Sequence, residues 1–378
     1  MRSTWKLTAG VLLSLALTAS ACGNSSDDTA SDKTTAPKGE SSGAFINPET
    51  DCTDYKPTQG ISGDTITLGT IRPETGNYAI YNTLTTGMEA YFKAANLRGG
   101  LEAGDGKKYK VELIKKNDEY DPAKTPALAK QLVEQDKVFA LIGDIGTEPN
   151  LAIRSYMNDN CVPNIALATG STFWGDANSY PWYIAGLPSY ATEAHAWVEY
   201  FKANVPDAKI ALLYQPDDFG KAYKSTIENE IKGTNIKIVK SETFDPLAGT
   251  SPEAPVTALS QSDADVLIVG IGGSPCPQSL NSVPDTWNPM TFISVTCASK
   301  LALSLAGDNA EGVYFAQPTL DPADPTDQKN PKVIEFKEQA ALGGLDEATI
   351  EGGVAAPGWG FAAFFAEGLK RTKVVDRA

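Results

Sequence analysis

From residue 61 onward the apolar positions of the chain alternate between two textures. Short β-branched runs (TITLGTI, KVELIKK, VFALIGD, VPNIAL) are separated by segments with helical period, YNTLTTGMEAYFKAANL, PAKTPALAKQLVEQD and EPNLAIRSYMND. A period of two or a solid apolar run predicts strands, and apolar positions at i, i+3, i+4 and i+7 predict amphipathic helices. Their βαβα order predicts a parallel sheet with helices on both faces. The rhythm breaks at GDANSYPWYIAGLPSY, which has two prolines, two glycines and no helical period. It resumes with ATEAHAWVEYFKAN, KIALLYQ, DDFGKAYKSTIENEIKG, IKIVKSETF, VTALSQSDAD, VLIVGI, MTFISV and GVYFAQ. A folded body of about 320 residues is more than one core usually holds, so the alternation divides into two α/β lobes.

After GVYFAQ comes a stretch rich in proline and acid, PTLDPADPTDQKNP, and then two helical segments, KVIEFKEQAAL and PGWGFAAFFAEGLKRT. Four strands would leave the first lobe bare on one side, so these helices are expected to return to it. The expected division is residues 61–187 with 324–378 as lobe 1, and 188–323 as lobe 2. A chain that crosses twice between lobes makes a hinge, and a ligand belongs at the strand ends facing the cleft. The loops there include IRPETGNYAIYN, KNDEYDP, GDIGTEPN and ATGSTFWGD in the first lobe, and YQPDDFGKAY, GIGGSPCP and SVTCASK in the second. Several enter helices through Thr, Ser or Gly, and unpaired amides at helix starts suit a carboxylate or another anionic head.

Catalytic readings find little to hold. The single histidine, His195, sits in a helical pattern away from any strand end, and there is no GxSxG elbow. Asp217 with Asp218, and Asp118 with Glu119, are adjacent acids in loops, and Asp217 also fits as the N-cap of FGKAYKSTIENEI. GIGGS is neither GxGxxG nor a phosphate-binding loop, because no Lys-Ser/Thr follows it. No cofactor and no metal are expected. Phe173 and Trp174, side by side after the fourth strand, fit either a ligand-facing role or packing where the chain leaves for the second lobe.

The start of the chain specifies an address. Arg2 and Lys6 precede LTAGVLLSLALTA, an apolar run shorter than the about 20 residues of a membrane span, and small residues follow it. Residues 1–21 therefore read as a secretory signal. Ala19-Ser20-Ala21-Cys22-Gly23 resembles the lipobox of bacterial lipoproteins, which implies lipidation of Cys22 and anchoring to the bacterial cell membrane, outside the cytoplasm. Residues 22–60, rich in Gly, Ser, Thr, Asp and Lys, read as a disordered tether. Setting Cys22 aside, Cys52, Cys161, Cys276 and Cys297 are an even number in an oxidising compartment and predict two disulfides, with three pairings possible. Cys276 with Cys297 is favoured because each follows a strand-like run, which leaves Cys52 with Cys161.

Charge removes several partners. The formal net charge is −15, and loss of Arg2 and Lys6 with the signal takes the 32 basic residues to 30 against 47 acidic ones. Nucleic acid and anionic lipid headgroups are poor partners for such a surface.

The stretches NDEYDPAKTPALAKQLVEQDKVFALIGDIGTEPNLA, VPNIALATGSTFWGD and YPWYIAGLPSYATEA resemble the type I periplasmic binding proteins of ABC transporters, in the branched-chain amino acid (Leu/Ile/Val) binding family. The resemblance runs from about residue 61 to the C-terminus. It implies a bilobal, monomeric, non-enzymatic receptor that closes on a small solute and presents it to a membrane permease. It implies ligand contacts at Tyr81, Thr147, Ala168, Gly170 and Ser171 in lobe 1, and at Phe219, Gly272 and Thr296 in lobe 2. Thr296 falls near the place where the family's acidic residue holds a ligand amino group. A buried ammonium without a partner costs several kcal/mol, so an α-amino acid would need Glu148, Asp217 or Asp218 for its charge. An aromatic or longer aliphatic carboxylate would not. Members of that family run on past KRTKVVDRA, so the resemblance also implies a short C-terminus. A ligand-sensing ectodomain and an extracellular hydrolase are the alternative readings.

Overall fold

The computed structural model describes Ile46, Cys52 and residues 55–378. The signal, Cys22 and the tether up to residue 54, apart from Ile46 and Cys52, lie outside the described residues. In the first lobe, β1 (Ile61–Ser62) pairs antiparallel with β2 (Thr65–Arg72), and α1 (Asn82–Leu97) follows. β3 (Leu101–Glu102) forms a short antiparallel pair with β4 (Lys108–Asn117). Next come α2 (Thr125–Lys130), prolonged by a π turn over Gln131–Gln135, then β5 (Ala140–Ile142), α3 (Thr147–Asp159), β6 (Asn164–Leu167) and β7 (Tyr183–Ala185). The strand order is β3-β4-β2-β5-β6-β7, parallel from β4 to β7. Because helices cover both faces, β2 is buried along nearly its whole length.

The second lobe winds the same way. It contains α4 (Tyr190–Asn204), β8 (Lys209–Tyr214), α5 (Asp218–Glu230), β9 (Lys237–Thr243), α6 (Glu253–Ser260), β10 (Val266–Gly270), α7 (Pro275–Asn281), β11 (Met290–Ile293) and α8 (Lys300–Ser304). The order β11-β10-β8-β9 is wholly parallel. Central β10 is buried at every residue, whereas edge strand β9 alternates between exposed and half-buried, as its KIVKSET pattern requires.

After lobe 2 come α9 (Pro331–Leu342), α10 (Glu347–Glu351) and α11 (Ala355–Arg371). Helix α11 lies on α1 in the first lobe, where Phe361, Ala362, Phe365 and Leu369 share a core with Met88 and Phe92. Two glycines bring these backbones together: a Cβ at Gly87 would collide with the Ala355 carbonyl oxygen, and one at Gly358 with that of Leu84. Arg377 then ties the last residues to the same lobe through the carbonyls of Phe139 (2.8 Å) and Val138.

Two elements differ from the pattern read along the chain. PWYIAG contains β7, a three-residue strand between Pro181 and Gly186 that is too short to display a period. It pairs with β6 across a bulge at Ala166, whose φ is 54°. Conversely, GVYFAQ forms a single bridge, Phe292 to Tyr314, before the chain departs toward Pro318. Disulfides join Cys52 to Cys161 (Cα–Cα 5.8 Å) and Cys276 to Cys297 (6.3 Å), the latter just beyond the parallel neighbours β10 and β11. No helix among the described residues is long and apolar enough to cross a membrane.

Candidate functional site

The site starts from a buried polar floor under the first lobe's strand ends. Asp144, 2 % exposed, accepts the Ile71 amide (2.8 Å) and the Asn164 side chain (3.1 Å). Asn150 donates to the carbonyls of Asp144 (3.1 Å) and Gly146 (2.7 Å), and accepts from Asn164 (3.0 Å). Burial raises the Asp144 carboxyl well above the usual carboxylate range against the pull of those donors. The network locks the end of β5 to the start of α3 and fixes the backbone on which the cleft is built.

The next loop aims a ring. Asp118 is fully buried, takes the Tyr120 amide on one oxygen (2.9 Å) and the Thr125 hydroxyl on the other (2.9 Å), and so closes an Asx turn. Glu119 and Tyr120 both take left-handed conformations, φ 58° and 64°, at about 1 to 2 kcal/mol each. The result is Tyr120 stacked flat on Tyr78, with ring centroids 3.7 Å apart and planes 5° apart. A Cβ at Gly146 would collide with the Tyr120 ring, so only glycine fits there.

The second lobe meets these rings with backbone and one amide side chain. Gln215 accepts the Tyr78 hydroxyl (2.6 Å) and the Gly272 amide (2.7 Å) on the same oxygen, and donates to Asp217 (2.9 Å). The Tyr81 hydroxyl donates to the Thr296 carbonyl (3.1 Å) and accepts the Gly273 amide (2.7 Å). Asn77 receives the amide (2.8 Å) and hydroxyl (3.0 Å) of Ser274 on its carbonyl, and Glu148 receives the Asp218 amide (2.8 Å). Burial raises the Tyr78 and Tyr120 phenols well above their ordinary value, so both remain protonated.

Between the lobes lies a cavity of about 1100 Å³. Of the residues singled out from sequence, Tyr81, Ala168, Phe219, Gly272 and Thr296 line it. Thr147, Gly170 and Ser171 do not. The Thr147 hydroxyl is 2.7 Å from that of Thr169, which also receives the Ser171 amide (3.3 Å) and the Trp174 indole (3.4 Å). Gly170 is packed against Pro188 and Tyr190. Sequence reasoning missed Thr169, the hub of this cluster, and the ring walls Tyr78, Tyr120 and Tyr190. Tyr78 stands three residues before Tyr81 in the same loop, and that spacing was the available signal.

Phe173 and Trp174 meet edge-on at 6.5 Å but differ in burial. Trp174 is buried in the lobe 1 core, stacked on Tyr183 at 5.6 Å, while Phe173 is half-exposed with the Arg154 guanidinium over its ring at 5.4 Å. The carboxylates Glu148 and Asp217 line a separate cavity of about 210 Å³ with Tyr78, Tyr120 and Asp245. Among the described residues one acid lines the large cavity, Glu335. Asp217 caps α5 by accepting the Gly220 amide (3.1 Å). His195 is exposed on α4, bonded to Glu230 (2.7 Å), and does not line the cavity. A ring nitrogen of His195 and carboxylate oxygens of Glu199 and Glu230 lie within 4.8 Å of one another, although Glu199 is paired with Lys202 at 2.7 Å.

A family profile described as "Periplasmic binding protein" matches residues 65–378. None of the curated proteins compared with the chain matches it. Among solved structures, a branched chain amino acid ABC transporter protein from Thermus thermophilus with bound valine superposes with TM-score 0.73 and 20 % identity, over 84 % of this chain and 81 % of that one. A possible leucine/isoleucine/valine-binding protein from Rhodopirellula baltica gives 0.72 and 18 %, over 86 % and 85 %. A solute binding protein of an ABC transporter from R. palustris, in complex with 4-hydroxybenzoate, gives 0.68 and 19 %, over 83 % of each chain.

Proposed function

Because the chain belongs to the periplasmic binding protein family, a family of extracytoplasmic substrate-binding proteins, we propose that it is the solute receptor of an ABC importer, held at the membrane by a lipid on Cys22. It binds a small carboxylate-type solute, branched-chain amino acid-like or an aromatic or aliphatic acid, and hands it to the permease without chemical change, acting as a monomer. The observation that carries this reading is the cavity between two parallel-sheet lobes, at the carboxyl ends of their strands, where α/β proteins take ligands. Tyr81, Ala168, Phe219, Gly272 and Thr296 are the proposed contacts, with Thr147, Gly170 and Ser171 supporting that wall through Thr169 and Tyr190.

Thermal unfolding of a soluble form lacking residues 1–22 tests the reading. A solute at 100 times its dissociation constant adds about 2.7 kcal/mol of stability. If panels of amino acids, aromatic acids, aliphatic acids and amides all leave the transition unmoved, the receptor reading fails.

A further inference from the structure

We propose that the C-terminal helices build a second, apolar compartment of the same cavity, which takes the hydrocarbon or aryl body of the solute while the cleft takes its polar head. This rests on the solute-receptor reading of that cavity.

The cavity does not stop at the cleft. It continues past Leu84 along α1 to Tyr91 and is lined by Phe336 of α9 and by Trp359 and Phe364 of α11. Trp359 sets this wall, meeting Tyr91 edge-on at 4.8 Å and Phe336 edge-on at 5.5 Å. Charge returns only at the rim, where Arg98 is bonded to Gln339 and where Lys332 and Glu335 stand. Pro318 and Leu320, from the segment returning to the first lobe, add apolar surface on the other side.

Two arguments assign the occupant. The first is chemical. The lobe 1 tyrosines Tyr78 and Tyr81 have spent their hydroxyls on the second lobe, Tyr78 on Gln215 and Tyr81 on Thr296 and Gly273. What remains for an incoming molecule is largely ring and hydrocarbon, and the acids that would hold an ammonium lie beyond the Tyr78–Tyr120 stack. The second is size: about 1100 Å³ stands at the upper end of small-molecule sites, far beyond the needs of one amino acid. The solute class is therefore an amine-free acid with an extended apolar body.

Titration calorimetry of the soluble form with straight-chain carboxylic acids from butanoate to decanoate tests this. Each added methylene strengthens binding about fourfold until the compartment is full. Ala363, on the cavity face of α11, is the control. Ala363→Leu fills the compartment, and is expected to weaken decanoate about tenfold or more while leaving butanoate unchanged. Trp359→Ala enlarges it and shifts the optimum to longer acids, a gain that loss of folding does not mimic. Short acids that bind without any dependence on chain length overturn the compartment and leave the receptor reading standing. An unchanged slope in Ala363→Leu also overturns it, since the tails then lie elsewhere. If no acid of any length binds, the compartment is overturned, and the receptor reading then stands or falls on the wider panel of amino acids, aromatic acids and amides.

Discussion

The two lobes share a winding but meet through different materials: lobe 1, which also takes in the C-terminal helix packed on α1, brings the rings of Tyr78, Tyr81 and Tyr120 to the contact, whereas the second-lobe turns facing them bring backbone, its own rings Tyr190 and Phe219 lining the cavity elsewhere. Tyr78, Tyr81 and Tyr120 face Gly272, Gly273 and the Thr296 carbonyl. Phenols can approach backbone this closely only where the opposite loop has no side chains: a Cβ at Gly272 would lie 3.1 Å from both tyrosines. The asymmetry of these facing loops is thus a form of complementarity, with rings on one side and bare hydrogen-bonding backbone on the other. Chain topology follows the same division. The lobe 1 disulfide spans 109 residues, and α11 joins α1 from the far end of the sequence, whereas the lobe 2 disulfide spans 21.

The strongest way to break this comparison is to remove the two disulfides in turn. In the loop-entropy account, Cys52→Ala with Cys161→Ala costs about 5 kcal/mol, and Cys276→Ala with Cys297→Ala about 3. Denaturant unfolding reads both values, and equal losses would mean that lobe 1 gains nothing from its long-range tie.

A second test addresses the carboxylate at the junction. Glu193 on α4 accepts the Tyr223 hydroxyl (2.6 Å) and the Val295 amide (2.8 Å), and burial pushes it from its ordinary 4.5 up to about 8. The folded chain then holds a proton that the unfolded chain has released. This contribution is complete below pH 4.5, falls as pH rises from there, and is gone above about pH 8, a loss of up to about 5 kcal/mol. Urea unfolding across that range should show the slope in the native protein and a shallower one in Glu193→Gln, the remainder belonging to other buried carboxyls such as Asp144.

The cleft contact itself is sharpened by Gly273→Ala and Tyr81→Phe. Gly273 has φ 68°, and its Cβ would stand 2.5 Å from the Asn77 carbonyl oxygen, so alanine there obstructs the approach of the lobes in addition to about 1 to 2 kcal/mol of backbone strain. Small-angle scattering should report a more open particle for this variant. Tyr81→Phe removes one bridging hydroxyl, about 1 kcal/mol, and should weaken solute binding about fivefold without opening the particle. The smallest effect is assigned to Phe173→Ala, under about 1 kcal/mol in thermal unfolding, because that ring is half-exposed and meets only the Arg154 guanidinium and, at 6.5 Å, the edge of Trp174. Trp174→Ala, in the core, should cost about 3 to 5.

What could be read along the chain was set by local physics. The alternation of apolar runs and helical periods specified two parallel α/β lobes, since each element shows its buried face in its own residues. Asp217 as a helix cap was legible for the same reason, and the pairing of Cys276 with Cys297 because each follows a strand-like run whose ends a parallel sheet brings together. Strand β7 was not legible, because three residues carry no period, and neither was the loss of GVYFAQ to a single bridge. Of the candidate contacts, Thr147 and Ser171 have the right chemistry for a ligand, yet Thr169 engages them behind the cavity wall. Tyr120 reaches the cleft only because Asp118 bends the backbone and Gly146 leaves room for its ring. The compartment lined by α9 and α11 depends on helices separated from α1 by more than two hundred residues. Composition and periodicity record how one segment meets solvent or core. Which distant side chains share a void, and which hydroxyls are left for a ligand, is decided only when both lobes and the returning helices compete for the same partners in space.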